Sequence, residues 1–164
     1  MKEYDCLIVG AGPAGITAAI YLARAQLKCL VIGKWKSGNL YKAHIVGNFP
    51  GFPKDVSGPH IVEKFVKQAK RFGAEFLDND VILMEKKENK FTVKTDSNEE
   101  FSGKTMILCL GKAYRMSNVK NEKELTGKGV SYCVTCDGFF FKDKKVGVIG
   151  SKNLAAGEAI YLLN

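Results

Sequence analysis

The sequence is poor in several residue types and patterns. Its 164 residues hold two histidines, four prolines and one tryptophan. No uninterrupted apolar run approaches the ~18–20 residues a helix needs to span a bilayer. His44 and His60 stand alone, and a structural zinc site takes about four ligands, so no metal centre is expected. No apolar leader core precedes the first strand-like stretch, MKEYDCLIV, so a cytoplasmic location without membrane insertion is the expectation. No basic stripe carries interleaved aromatics, which argues against a nucleic-acid partner. The five cysteines, an odd number without an export signal, argue against a secreted disulfide scaffold.

What is present points to a globular α/β protein. Hydrophobic residues make up 46% of the chain and aromatics 10%, enough to build a core and exclude global disorder. Lys and Arg number 25 against 17 Asp and Glu, a formal charge of +8. Two readings of that charge stand: a solvated lysine-rich surface, or an electrostatic platform for an acidic partner.

Residues 5–9 (DCLIV) predict a buried strand that runs into GAGPAG and then a helix. Ile16, Ala19, Ile20 and Ala23 recur at helical spacing, and Pro13 sits in the first turn, where its missing N–H costs nothing. KCLVI at 28–32 predicts a second strand, completing a βαβ unit. Over 34–59 the periodicity dissolves, and three of the four prolines fall there. Its embedded aromatics, Trp35, Tyr41, Phe49 and Phe52, predict a long ordered loop. A helix is expected from about Pro59 to Phe72, closed by Gly73. VILME at 81–85 and FTVKT at 91–95 predict an antiparallel hairpin, and MILCL at 106–110 a buried strand. A polar connector leads to VSYCVTCDGFFF, after which KKVGVIG at 144–150 predicts a strand and NLAAGEAIYLL a helix. This last pair has the pattern of the opening of a second βαβ domain.

Three constellations carry chemistry. Gly10-x-Gly12-x-x-Gly15 joins a predicted strand to a helix. The first glycine allows the tight turn, the second lets backbone approach a pyrophosphate, and the third lets helix and strand pack closely. The helix N-terminus supplies donors to the phosphates. An NAD site wants an acid roughly 20 residues on, and here that place holds Gly33-Lys34-Trp35-Lys36. An NADPH site and a larger cofactor wrapped by the 34–59 loop both remain open on spacing alone. Cys133-x-x-Cys136, followed by Asp137, is the second constellation: an exchangeable dithiol beside a carboxylate able to move the proton that exchange requires. Cys6, Cys29 and Cys109 lie in apolar runs and are expected to be small buried hydrophobes. The third constellation is VGVIGSKNLAA, which has the placement of a second dinucleotide turn with Gly150 first and Ala155 third. Lys152 occupies the middle position, where a Cβ obstructs backbone approach to a pyrophosphate, although its ammonium is itself able to meet a phosphate.

On these residues the chain resembles the thioredoxin reductase family of two-domain flavoproteins. The likeness runs through GAGPAG at 10–15, GNFPGFP at 47–53, KGVSYCVTCDGFF at 128–140 and VGVIGSKNLAAGEAIYLL at 146–163. It implies an α/β fold: a Rossmann-like FAD-binding βαβ domain with small antiparallel strands over 1–112. Over 113–164 it implies the redox segment and the start of a degenerate nucleotide-binding-like domain. The resemblance assigns Gly10, Gly12, Pro13, Ala14 and Gly15 to the FAD pyrophosphate and Gly38, Asn39, Leu40 and Asn48 to a flavin-contacting loop. Val81 and Gly111 belong to the same cofactor-contacting set. Cys136 would face the flavin, Cys133 would attack the thioredoxin disulfide, and Asp137 would act as acid–base. The broken second turn is similar to that of the ferredoxin-dependent flavin thioredoxin reductases, so reduced ferredoxin is the expected donor and NADPH the alternative. The expected protein is a homodimer acting on thioredoxin. A non-catalytic module keeping only the opening elements of the fold is the reading from another class.

Overall fold

The computed structural model describes residues 2–163. The chain divides into two compact units, Met1–His44 with Val56–Lys112, and Ile45–Asp55 with Ala113–Asn164.

The first unit is built on β1 (Lys2–Val9), α1 (Pro13–Arg24) and β2 (Cys29–Ile32). The two strands pair in parallel with Cys6 opposite Cys29 and Val9 opposite Ile32, the expected βαβ unit. After β2 the chain makes a short 3₁₀ turn and a one-turn helix, α2 (Asn39–Lys42). Helix α3 (Gly58–Arg71) starts at Ser57, whose hydroxyl accepts the His60 N–H at 3.4 Å. Then follow β3 (Glu75–Leu77), β4 (Val81–Lys87), β5 (Lys90–Thr95) and β6 (Glu100–Leu108). All six strands form one sheet in the order β3-β2-β1-β6-β5-β4. The pairs β3-β2, β2-β1 and β1-β6 are parallel, whereas β6-β5 and β5-β4 are antiparallel.

Both faces of the sheet are buried at its centre, so β2 and the Cys6–Val9 half of β1 are apolar without alternation. Cys6, Ile8, Cys29 and Val31 pack against Ile16, Ala19 and Ile20 of α1 and Val62, Val66 and Ala69 of α3. Leu7, Val9, Leu30 and Ile32 point to the opposite face, where they meet Val93 of β5 and Phe101 of β6. Cys6 and Cys29 are buried as expected, but Cys109 lies one residue beyond β6 and is only partly covered.

Several elements differ from expectation. Strand β6 begins at Glu100 and ends at Leu108, not over 106–110, because its polar first half is a central strand held by β5 on one side and β1 on the other. The long loop gains α2, and β3 adds the parallel edge next to β2.

Among the described residues the second unit holds three α-helices, α4 (Glu122–Leu125), α5 (Val134–Asp137) and α6 (Lys152–Tyr161), and a 3₁₀ turn at Gly138–Phe141. Helix α6 forms where expected, but the strand expected over 144–150 is not present. A strand is stable only when its backbone groups pair with a neighbour. The second unit contains no named strand among the described residues, only an isolated bridge between Thr126 and Val130.

Candidate functional site

In the first unit, the residues singled out by the sequence gather at the carboxyl ends of the parallel strands. Gly10 follows β1 with φ +109°, a conformation that disfavours any side chain. A Cβ there would also run into the Cys109 carbonyl beyond β6. Gly15 packs its bare Cα against the Gly10 carbonyl and Ile8, which lets α1 sit close on β1. A Cβ built at Gly12, by contrast, meets nothing within 4 Å. The turn is therefore tight at its first glycine, close-packed at its third, and open in front of its second.

The start of α1 is chemically uncommitted. No side chain caps it, its first turn carries no acid, and Pro13 has no N–H to satisfy. The first intrahelical bond is Ile16 N–H to the Gly12 carbonyl at 3.0 Å, so the Ala14 and Gly15 N–H groups lie ahead of the helical ladder. Two unshared donors, an open glycine and the positive helix end fit a pyrophosphate. The strand order adds a second argument. The chain runs outward from β1 through β2 to β3 on one side and returns with β6 on the other. A doubly wound sheet binds ligands outside its strands' carboxyl ends at such a reversal.

The loop residues attach to the same edge. Asn39, at the start of α2, donates its side-chain amide to the Lys112 carbonyl at 2.6 Å, which ties Gly38, Asn39 and Leu40 to the turn containing Gly111 (φ +70°). Val81 begins β4 and packs into the core on the sheet face away from α1. Its predecessor Asp80 accepts from Lys34 Nζ at 2.6 Å, and Asp96 stands 3.5 Å from the same ammonium. Lys34, in the stretch where an NAD site would carry an acid, is thus occupied by two carboxylates, Asp80 foremost, which hold its ammonium above the ordinary lysine range.

In the second unit, Cys133 and Cys136 form a disulfide across 5.2 Å between Cα atoms. Cys133 is partly covered and Cys136 is exposed. Cys133 caps the single turn α5, and its carbonyl accepts the N–H groups of Cys136 at 3.2 Å and Asp137 at 3.0 Å. Ser131, not singled out from the sequence, connects the pair to the acid. Its hydroxyl accepts the Cys133 N–H at 3.1 Å and bonds the Asp137 carboxylate. The signal for it was available, since a serine two residues before a turn residue commonly makes this contact. Asn48 lies in the 45–55 loop, which belongs to this unit, whereas Gly38, Asn39 and Leu40 belong to the first. Gly47 beside it faces the Phe140 ring, where a Cβ would stand 3.5 Å from the ring edge. An accessible disulfide whose backbone is linked to a carboxylate through the Ser131 hydroxyl is equipped for thiol–disulfide exchange. No group of three or more His, Cys, Asp or Glu side chains among the described residues is arranged to hold a metal ion.

The second glycine turn is altered as its sequence suggested. Gly150 sits tightly on Ala155, and Lys152 opens α6 with φ +64° and an exposed side chain.

The family model described as pyridine nucleotide-disulphide oxidoreductase matches residues 4–164. Thioredoxin reductase of Aquifex aeolicus is 44% identical over 162 residues, covering 98% of this chain and 50% of the relative. That of Bacillus subtilis is 42% identical over 163 residues, covering 98% and 51%. The crystal structure of thioredoxin reductase from Streptococcus pyogenes superposes with a TM-score of 0.93 at 36% identity, over 98% of this chain and 52% of that one. The chain spans about half the length of the curated relatives it matches. Its glycine turn, sheet order and Cys-x-x-Cys disulfide, together with the match over nearly its whole length, make it a member of the pyridine nucleotide-disulphide oxidoreductase family.

Proposed function

We propose that this chain carries the FAD-binding turn and the redox-active disulfide of a thioredoxin reductase. The observation that carries the reading is the pairing of the open Gly12 turn with the Cys133–Cys136 disulfide in a chain of this family. Gly10, Gly12, Pro13, Ala14 and Gly15 hold the FAD pyrophosphate, and Gly38, Asn39, Leu40, Asn48, Val81 and Gly111 complete the contacts to the cofactor. FAD, when bound, supplies the electron pair that opens the disulfide and accepts electrons singly or in pairs from a donor.

The exchange belongs to the chain's own residues. The Cys133 thiolate attacks a sulfur of the thioredoxin disulfide, forming a mixed disulfide and releasing one thioredoxin thiolate. Cys136 then attacks Cys133, which re-forms the Cys133–Cys136 disulfide and releases the second thiolate. Asp137, steadied by Ser131, takes the proton of the attacking thiol and delivers it to the leaving sulfur. The dithiol loses two electrons and thioredoxin gains them. The working protein in this reading is a cytoplasmic homodimer.

Reduced ferredoxin is the proposed donor. Lys152, at the position where a second nucleotide turn needs a bare glycine, supports this reading, as does the +8 charge. The pyridine-nucleotide chemistry in the family's description favours NADPH as the second reading. Anaerobic mixing of the full-length flavoprotein with reduced ferredoxin, NADPH or NADH separates them by flavin absorbance. Bleaching by ferredoxin alone is expected, and rapid bleaching by NADPH assigns the donor to the second reading. In the same preparation, Cys136→Ser is expected to abolish thioredoxin reduction while the protein stays yellow.

A further inference from the structure

Glu122 is the only charged side chain buried among the described residues, with 3% of its surface exposed. Its bonded partners are all neutral. The Ser117 and Asn118 N–H groups each donate to one carboxylate oxygen at 2.8 Å, and the Tyr132 hydroxyl donates at 2.6 Å. These donors, Tyr132 foremost, hold the carboxyl below the usual glutamate range. A charge taken out of water is tolerated only when such bonds replace its hydration. The Thr126 hydroxyl fixes the same turn by donating to the Glu122 carbonyl at 2.7 Å.

Tyr132 is therefore restrained twice. Its hydroxyl is tied to Glu122, and its ring stacks on Tyr114 with centroids 5.2 Å apart and planes 15° from parallel. The next residue is Cys133, whose N–H is itself bound to Ser131. One cysteine of the pair thus leaves a fixed platform, while Cys136 is reached through the single turn α5. Ring closure between two thiols is favoured when the ordering it requires has already been met in the dithiol.

We propose that Glu122 and Tyr132 are positioning residues that set the thiol–disulfide equilibrium of Cys133–Cys136 by holding Cys133 in ring-closing geometry. This rests on the reading of that pair as the redox couple. With glutathione as partner, the Cys133–Cys136 disulfide and two glutathione thiols give the dithiol and glutathione disulfide, so two electrons and two protons move.

The test equilibrates the full-length holoenzyme and its Tyr132→Phe variant in glutathione buffers of graded ratio, and reads the dithiol fraction by alkylation and mass. Phenylalanine keeps the ring stack and removes only the bond to Glu122. The expected result is a shift of about tenfold toward the dithiol, equivalent to about 30 mV for a two-electron couple. Glu122→Gln, which retains a carbonyl for the Tyr132 hydroxyl, should shift the equilibrium in the same direction by less. A Tyr132→Phe equilibrium within about twofold of wild type, even with a lowered melting temperature, leaves the contact merely structural and overturns the proposal. Because glutathione replaces thioredoxin, a shifted equilibrium in a protein that fails to reduce thioredoxin would refute the functional reading and leave this inference standing.

Discussion

Lys152 opens α6 with φ +64°, a left-handed conformation that costs a residue with a Cβ about 1–2 kcal/mol. Lys152→Gly removes that strain but gives back part of it as chain entropy in the unfolded state, so a net gain of about 1 kcal/mol is expected in urea denaturation. The same substitution opens the turn to a pyrophosphate. Calorimetric titration should show NADPH affinity rising in Lys152→Gly over wild type, and unchanged affinity would refute the steric argument. The cysteines divide by environment in a comparable way. Burial pushes the Cys29 thiol up to about 11 and raises that of Cys109. In reduced protein at pH 8, iodoacetamide should label Cys133 and Cys136 within minutes while Cys29 stays intact until the protein is unfolded, as peptide mass spectra would show. Early labelling of Cys29 would contradict its burial between α1 and the sheet.

At the scale of elements, the sheet is tied across its parallel section by one long side-chain bond. Tyr4 of β1 donates its hydroxyl to Glu75 of β3 at 2.8 Å, passing over β2. Burial, then the bond to Glu75, pushes the Tyr4 phenol up to about 12, against an ordinary value of about 10. The folded state therefore keeps this proton where the unfolded chain has lost it. Stability from this group is fully present below about pH 10 and falls as pH rises toward 12. Urea midpoints measured from pH 9 to 11.5 should drop more steeply for wild type than for Tyr4→Phe, and parallel curves would remove Tyr4 as the cause. This bond joins residues 71 apart, and no local pattern announces such a partner. The β1–α1–β2 unit and its glycine turn were legible because Gly10 answers a positive φ and Gly15 a close approach of helix to strand, both set within the unit itself. The strand expected at 144–150 was misread because a run of apolar residues reports burial tendency, whereas a strand also needs a neighbour to pair with. Glu122 was invisible for a related reason: in the run NEKEL nothing distinguishes the carboxylate that Tyr132 and two backbone donors enclose from the ones left in water.

For the whole molecule, the proposed ferredoxin donor is tested through charge. A chain with a net charge of +8 attracts an acidic protein over distances set by the Debye length. That length is about 30 Å at 0.01 M salt and about 3 Å at 1 M, so steering acts in dilute buffer and vanishes in concentrated salt. If reduced ferredoxin is the donor, the second-order rate of flavin bleaching should fall by at least about tenfold between these conditions, since steering raises association rates by about 10–10³. The glutathione-driven reduction of Cys133–Cys136 provides the internal control. Its reagent is small and weakly steered, so its rate should change by less than about threefold over the same range. A ferredoxin rate indifferent to salt would separate the lysine-rich surface from donor docking and return the +8 charge to a solvation role. Equal salt sensitivity in both reactions would remove steering of the donor as the cause, because flavin bleaching by ferredoxin and disulfide reduction by glutathione have no step in common.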